Sequence, residues 1–347
     1  MSASSSDRSP APGGRPGRRP PVGSLPRGRR ALLAAVAAAA ALALLLWWLL
    51  PFGGRTESPR RVVFSTGVRQ GVYDRYGGLL KEYLRRDAPE LDVELLGSRG
   101  SVENVRRVAE GKAAFAIAAT DSVAAYHGPG ARRLRACARL YDDYLQLVVP
   151  KGSPVRSVRD LRGLRVGVGQ TASGVRLITG QLTGAAGLAW DRDFTPVGVG
   201  IDRMPDMLES GELKAFFWSG GLPTTIVRSL ADRFPIRLVP LGDLLGPLHR
   251  QGPQARYYRA ATVPADVYPP IAQTREVSTI AVPNLLVTTD RMDPGLVETV
   301  TRTVIRSRDA IGRQVHAAQN VDLRTAVFTD PLELHAGAAR YYRSAKP

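Results

Sequence analysis

The sequence has one cysteine, Cys137, in 347 residues, which excludes a disulfide within the chain and a zinc site built from several cysteines. Four histidines are present, and no two of them have the HExxH spacing of zinc enzymes. We therefore expect no metal site.

Motifs for nucleotide binding and for covalent catalysis are also missing. The sequence has no G-x-x-x-x-G-K-[ST] loop, and the Gly-x-Gly at 167–169 is not followed by the third glycine of the dinucleotide motif. Ser173 and Ser219 lie outside any G-x-S-x-G context. Asp142 and Asp143 are interpreted as a solvated turn rather than an acid–base pair. These absences predict a protein that is not an enzyme and binds no cofactor.

Acidic residues are scarce near the N-terminus, and the whole chain has a formal charge of +17. Residues 1–61 hold ten arginines against Asp7 and Glu57, and the remainder is only modestly basic. Abundant Arg, Ala, Gly and Pro are typical of a G+C-rich coding sequence, so the charge does not require nucleic acid as a partner. Hydrophobic residues make up 44% of the chain, which is enough for globular cores.

The N-terminal region predicts a tail and a membrane anchor. Residues 1–30 are rich in Ser, Pro, Gly and Arg, which predicts a disordered basic cytoplasmic tail. Residues 31–52 contain 20 uncharged residues, Ala31 to Leu50, which predicts one transmembrane helix. The arginines before it place the N-terminus in the cytoplasm and the rest outside. No small-x-small cleavage pattern follows, so we favour a single-pass signal anchor in the cell membrane over a cleaved signal, with a linker at 53–59.

Short apolar runs alternate with amphipathic segments after residue 60. Predicted strands at 61–64, 91–96, 113–119, 145–150, 165–169, 194–200, 214–221 and 236–241 are separated by predicted helices. This alternation predicts an α/β fold with mostly parallel sheets. Ligands in such sheets bind at the carboxyl ends of the strands.

Loops rich in Ser, Thr and Gly follow several of these strands, at 65–73, 97–104, 169–174 and 218–223. Backbone N–H groups and hydroxyls in such loops, close to helix N-termini, suit a small anionic ligand. Arg69, Arg99 and Arg176 either neutralise that ligand or are solvated side chains. Trp218 is either a wall of the site or a core residue.

Six blocks of the sequence resemble, in order, the TAXI family of TRAP-transporter solute receptors. The blocks are STGVRQGVYDRYGGLLKEYL, GSRGSVENVRRVAEGKAAFAIAATD, LRACARLYDDYLQLVV, VRDLRGLRVGVGQTASG, GELKAFFWSGGLPT and VPNLLVTTDRMDPGLVETVTRTV, and LELHAGAARYYR resembles the closing helix of the family. The similarity runs from about Arg61 to Arg343.

The resemblance implies a two-lobed, periplasmic-binding-protein-like (type II) fold with hinge strands. Lobe one would comprise 60–148 and 279–347, and lobe two 149–278. The lobes would close on a small carboxylate or amino acid of the glutamate or 2-oxoglutarate class and present it to the membrane permease of a TRAP-type transporter. The ligand-binding residues expected are Ser65, Thr66, Gly67, Arg69, Tyr73, Ser98, Gly100, Ser101, Asn104, Asp121, Tyr141, Gln170, Thr171, Ser173, Gly174, Trp218, Ser219 and Gly220.

The chain departs from the family at two loops. Val68, Arg69 and Gln70 replace a more glycine-rich run, and we expect them to narrow or recharge the pocket. The loop at 170–174 reads Gln-Thr-Ala-Ser-Gly instead of Pro-Gly-Ser-Gly-Thr. An alternative function is a membrane-anchored ligand sensor for a signalling partner, since an uncleaved anchor also suits a fixed partner in the membrane.

Overall fold

The computed structural model describes residues 27–49, 60–271 and 275–345. Helix α1, Arg27–Leu49, belongs to one compact unit, Met1–Glu57, and all later elements belong to a second, Ser58–Pro347. The helix includes residues 27–30, which corrects the prediction that the disordered tail extends to residue 30. In the part of the chain that is described, no helix was found to be both long and apolar enough to span a membrane. The rest of the predicted tail, residues 50–52 of the predicted anchor and the linker at 53–59 lie outside the described residues.

The second unit alternates strands and helices along the chain. Its strands are β1 (Arg60–Ser65), β2 (Leu91–Leu96), β3 (Phe115–Ala119), β4 (Leu134–Pro150), β5 (Arg165–Gly167), β6 (Thr195–Val197), β7 (Ala215–Gly220), β8 (Ile236–Val239), β9 (Arg259–Val263) and β10 (Val277–Thr289). Its α-helices are α2 (Val72–Asp87), α3 (Ser101–Ala109), α4 (Thr120–Ala124), α5 (Gly174–Ala185), α6 (Met204–Glu209), α7 (Thr225–Arg233), α8 (Leu245–His249), α9 (Pro294–Gly312) and α10 (Ala336–Ser344).

The ten strands form one sheet in the order β2-β1-β3-β10-β4-β7-β5-β6, with β8 beside β4 and β9 beside β10. Pairing is parallel where β1 meets β2 and β3, and where β5 meets β6 and β7. The other five pairs are antiparallel. The α/β class is therefore confirmed, whereas the prediction of mostly parallel sheets is wrong, because every pair that includes β4 or β10 is antiparallel.

Strands β4 and β10 are the longest, with 17 and 13 residues, and the first part of β4, 134–144, pairs with the last part of β10, 281–289. The predicted strand at 145–150 is only the second part of β4. Asp142 and Asp143 lie in its middle, opposite Pro283 and Val282 of β10, which corrects their interpretation as a solvated turn. The pairing register shifts after Pro283, so the two long strands are irregular beside these aspartates.

The hydrophobic core of the second unit is divided. One cluster draws almost entirely on residues 145–282, for example Leu147, Phe216 and Ile280. Two further clusters draw on 62–141 and 285–342. Apolar side chains are the main source of folding free energy, so each set of strands and helices has its own source of stability. The lobe bounds at 148/149 and 278/279 stay a prediction.

Local chemistry explains where α5 begins, beside the candidate site. Ser173 is the residue before the helix, and its Oγ accepts a hydrogen bond from the Arg176 N–H over 3.1 Å. Such a cap satisfies one of the N–H groups that a helix start leaves without a partner. Ala172 before it has φ 68°, a left-handed conformation that is unusual for a residue with a side chain. The chain therefore turns sharply from β5 into α5.

Candidate ligand-binding site

A small cavity, with a volume of about 60 Å³, lies at the carboxyl ends of strands from both predicted lobes. The segments after β1 and β2 and the junction of β3 with α4 line one side, and the segments after β5 and β6 and the end of β7 line the other. Asp143 of β4 and Val282 of β10 lie between them.

Eleven of the eighteen predicted site residues line this cavity. They are Gly67, Tyr73, Gly100, Ser101, Asp121, Gln170, Ser173, Gly174, Trp218, Ser219 and Gly220. The structure thus brings together residues from all four loops that the sequence pattern selected. Whether they bind a ligand stays a prediction.

Ser65, Thr66 and Asn104 are predicted site residues that lie outside the cavity lining and are fully buried. The Ser65 hydroxyl donates to Asn104 Oδ1 over 2.7 Å, and Asn104 Nδ2 donates to the carbonyl oxygens of Thr66 (2.6 Å) and Ile117 (2.8 Å). Helix α2 packs tightly on Thr66, since a Cβ on Gly77 would be 2.5 Å from the Thr66 methyl. These side chains hold β1, α2, α3 and β3 together and have no contact with the cavity.

The other four predicted residues outside the lining are Ser98, Arg69, Thr171 and Tyr141. Ser98 Oγ donates to the Thr66 carbonyl and accepts from the Gly100 N–H, both over 3.1 Å, so it shapes the loop. Arg69 and Thr171 are exposed, and Arg69 lines a second, larger space outside the cavity. Tyr141 is buried in the core beside Tyr76.

The residues of the substituted loop at 68–70 line two different spaces. Val68 lines the cavity, as expected of a side chain that narrows it, whereas Arg69 and Gln70 are exposed and line the outer space. Gln70 has φ 63°, and its N–H donates to Asp74 Oδ2 over 3.2 Å. The turn therefore directs Arg69 away from the cavity, which corrects the expectation that Arg69 and Gln70 recharge it.

Sequence reasoning missed most of the apolar part of the wall. The apolar residues it missed are Ala119, Val175, Ile178, Ile201, Met204 and Val282. The other residues it missed are Asp143, Gly169 and Gly200. Apolar side chains at helical or strand spacing are typical of a core, so no pattern distinguished these from core residues.

Tyr73 and Ser101 form the polar part of the wall on the side of lobe one. Ser101 Oγ lies 2.9 Å from Tyr73 OH and accepts from the Ala119 N–H over 3.1 Å. Tyr73 OH also donates to Asn284 Oδ1 at the irregular step of β10. Burial raises the pKa of Tyr73 well above its usual value, so its hydroxyl stays protonated and can donate.

Two buried carboxyl groups face the cavity, Asp121 of α4 and Asp143 of β4. Asp121 accepts from Tyr258 OH (2.8 Å) and from the Ser122 N–H (2.6 Å), yet burial raises its pKa. Burial raises the pKa of Asp143 from 3.8 to about 7, and the nearby Asp121 acts in the same direction, against the effect of the Asn284 side chain. Asp143 Oδ1 has no hydrogen-bond partner among the described residues.

Trp218 forms the wall on the side of lobe two and is 9% exposed. Its indole N–H donates to Thr224 Oγ1 over 3.1 Å, and Thr224 Oγ1 donates to the Gly221 carbonyl over 2.8 Å. Tyr268 OH accepts from the Thr224 N–H and donates to Gln146 Oε1, each over 2.9 Å. Trp218 is thus both a wall of the cavity and part of the core, and buried hydrogen bonds fix its orientation.

The two sides of the cavity meet directly at glycines. A Cβ on Gly174 would lie 3.1 Å from Ser101 Oγ, and a Cβ on Gly100 would lie 3.5 Å from the Ser173 Cα. The Glu103 N–H donates to the Ala172 carbonyl over 3.0 Å across the same contact. Glycine lets two backbones approach this closely, so these positions close the cavity.

Cationic side chains are sparse at the cavity. Among the described residues that line it, only Arg99 carries a positive charge, and its guanidinium pairs with Glu103 over 3.1 Å. Arg176 stacks over the Trp190 ring at 5.0 Å and is not part of the lining. No group of three or more His, Cys, Asp and Glu residues in the described ranges is arranged to hold a metal ion.

Several solved structures are similar to the chain over most of its length. A protein of Bordetella bronchiseptica RB50 matches with a TM-score of 0.50 and 16% identity, over 84% of this chain and 81% of that one. The periplasmic aliphatic sulphonate-binding protein SsuA of Escherichia coli matches with a TM-score of 0.41 and 11% identity, over 84% of each chain. The ligand-binding component of an ABC-type import system from Staphylococcus aureus matches with a TM-score of 0.45 and 11% identity, over 74% and 77%.

The sheet and the cavity at its strand ends define an α/β fold of the periplasmic-binding-protein type. Residues 64–345 match the model of the NMT1-like family, and the chain belongs to that family. The match does not confirm the resemblance to the TAXI family.

Proposed function

We propose that the protein is an extracytoplasmic solute-binding receptor, not an enzyme, which captures a small carboxylate or amino acid by closing two lobes around it. The observation that supports this most directly is the cavity between the two sides, whose opposite walls touch at Gly100, Ser101, Ser173 and Gly174. A ligand that contacts both walls stabilises the state in which they meet. The fold and the family agree with such a role.

The ligand-binding residues proposed are the eleven predicted ones that line the cavity, together with Val68, Asp143 and Met204. Ser65, Thr66, Ser98 and Asn104 act indirectly, since their hydrogen bonds hold the loops from which the lining residues project. Tyr141 is a core residue in this proposal.

A thermal-shift screen of the purified full-length protein tests the binding function. The panel contains amino acids, dicarboxylates such as 2-oxoglutarate, and simple amines. A ligand at 100 times its Kd stabilises the folded state by about 2.7 kcal/mol, which is readily detected. Trp218→Ala should abolish the shift, because it removes a cavity wall, whereas Trp190→Ala outside the cavity should retain it. No shift with any member of the panel would count against the proposal.

We further propose that the receptor serves a TRAP-type permease and that residues 31–52 anchor it in the membrane. The support for both is the sequence: the resemblance of six ordered blocks to the TAXI family and the uncharged run from Ala31 to Leu50. Fractionation of cells that express the full chain tests the anchor, with a variant that begins at residue 53 as control. The full chain is expected in the membrane fraction. Co-purification of permease subunits with it tests the transport role, and co-purification of a kinase instead would favour the sensor.

A further inference from the structure

The cavity that the proposed function assigns to a ligand has the wrong charge for a dicarboxylate. Its lining contains two buried carboxyl groups, Asp121 and Asp143, which are 1% and 4% exposed. The one cationic side chain among the described lining residues, Arg99, is paired with Glu103 and about half exposed. A second ligand carboxylate would therefore lie near like charges without a counter-ion.

The two aspartates differ in the hydrogen-bond donors that the protein provides for their carboxyl groups. Asp121 accepts hydrogen bonds from Tyr258 and Ser122, so protein donors already satisfy it. Asp143 Oδ1 is buried in the lining and has no hydrogen-bond partner among the described residues, and the Nδ2 of the neighbouring Asn284 also has no acceptor there. A buried acceptor without a donor is destabilising, and a donor on the ligand would supply the missing hydrogen bond.

Apolar side chains from both lobes surround the remainder of the cavity. Val68 and Val72 lie on the side of lobe one, and Ile178, Ile201, Met204 and Trp218 lie on the side of lobe two. At the starts of α3 and α5 the N–H groups of Glu103 and Arg176 already have acceptors, and the remaining N–H groups of each first turn suit a carboxylate. The site can therefore accept one carboxylate, one donor and an apolar body.

We propose that Asp143 is a ligand-contacting residue that binds a protonated nitrogen, and that the ligand is an amine or amino acid with an apolar body. This inference rests on the proposed function and narrows its ligand class. In place of a ligand of the glutamate or 2-oxoglutarate class, it proposes a ligand with a cationic group and at most one carboxylate.

Isothermal titration of the full-length protein with two matched probe series tests this. The first contains leucine, 3-methylbutylamine and 4-methylpentanoate, and the second contains phenylalanine, phenethylamine and 3-phenylpropanoate. 2-Oxoglutarate is added as a dicarboxylate. We expect the probes with a nitrogen in at least one series to bind at least tenfold more tightly than the acid that lacks it, and 2-oxoglutarate not to bind.

Asp143→Asn should reduce the affinity for the nitrogen-bearing probes at least tenfold and leave the acids unchanged, so the preference for nitrogen disappears. Asp142→Asn is the matched control, because Asp142 is adjacent but bonded to Arg139 over 2.7 and 2.9 Å; it should change affinities by less than twofold. The melting temperature of each variant without ligand shows whether it is folded. If Asp143→Asn does not fold, the order of the probe affinities for the unchanged protein decides whether the inference stands.

Three results would overturn the inference. Tighter binding of 2-oxoglutarate or of an acid than of its nitrogen-bearing partners would do so and leave the receptor function intact. An equal loss of affinity for all probes in a folded Asp143→Asn variant would mean that Asp143 only positions the neighbouring Asn284. Binding of no probe, in this experiment and in the wider screen, would overturn the inference and the receptor function together.

Discussion

Tyr258 donates a hydrogen bond over 2.8 Å to the carboxylate of Asp121, and both residues are 1% exposed. Asp121 lies at the start of α4, directly after β3, and Tyr258 follows the short 3-10 helix Pro253–Tyr257. The bond thus joins predicted lobe one to predicted lobe two beside the cavity. Together with the Gly100–Ser173 contact it holds the cavity closed.

Tyr258→Phe should weaken both the closed state and ligand binding. It removes the donor and leaves the buried Asp121 carboxylate with only the Ser122 groups as partners, which costs about 1–3 kcal/mol. We expect a lower midpoint of urea unfolding and at least fivefold weaker ligand binding. Tyr257→Phe is the matched control, since the Tyr257 hydroxyl accepts a hydrogen bond from the exposed Arg256 and takes no part in the bond to Asp121. Equal behaviour of the two variants would show that the contact between the lobes contributes nothing.

Gly174→Ala should impair ligand binding although it places a better helix former in α5. The new Cβ would lie 3.1 Å from Ser101 Oγ and 3.2 Å from Ser101 Cβ, so the two walls have to separate. In Gly180→Ala, in the same helix, the Cβ meets no atom closer than 3.8 Å. We expect Gly180→Ala to stabilise the protein by about 1 kcal/mol with unchanged affinity. Gly174→Ala should bind about tenfold more weakly, as measured by titration calorimetry, and an affinity like that of Gly180→Ala would refute the close contact.

The sequence pattern predicted the loops of the site correctly, whereas it did not predict the geometry of the sheet. Ser and Gly after apolar runs marked the strand ends at Gly67, Ser101, Ser173 and Ser219, because parallel strands bring their carboxyl ends to one edge. The antiparallel pairing of β4 with β10 could not be predicted, since pairing between segments more than 130 residues apart leaves no periodic signal.

Individual site residues were harder to predict than loops. Thr66 and Ser101 both follow the expected pattern, yet Thr66 is turned into the contact with Gly77 and Ser101 faces the cavity. Asp143 was misread because two adjacent aspartates are usually solvated, and only the pairing of β4 with β10 buries one of them. The missing signals are tertiary: they depend on which face of a strand or helix the rest of the fold covers.

Thr224→Val should disturb the orientation of Trp218 in the cavity wall, although valine and threonine have nearly the same side-chain volume. The substitution removes the acceptor for the Trp218 indole N–H, which is left buried and without that partner at a cost of about 1–3 kcal/mol. We expect lower stability, a shifted tryptophan emission and at least threefold weaker ligand binding. Thr225→Val, at the exposed neighbouring position, is the control and should leave emission and affinity unchanged. Unchanged emission in Thr224→Val would mean that Thr224 does not orient Trp218.

The stability of the protein without ligand should depend on pH through Asp143. Its pKa is raised from 3.8 to about 7, so the folded state holds the proton more tightly than the unfolded chain. Its contribution to stability is therefore full below about pH 4 and is lost as pH rises to about 7, by at most about 4 kcal/mol. Asp121, Asp142 and Tyr73, which surround Asp143, are retained in the variant Asp143→Asn.

Urea unfolding between pH 4 and 8 should show the variant gaining stability relative to the unchanged protein as pH rises, with a plateau above pH 7, whereas Asp142→Asn should show no such trend. A ligand with a protonated nitrogen needs the Asp143 carboxylate, so its affinity for the unchanged protein should rise over the same range. A pH-independent difference between the two proteins would show that Asp143 is ionised throughout and that its burial does not shift its titration.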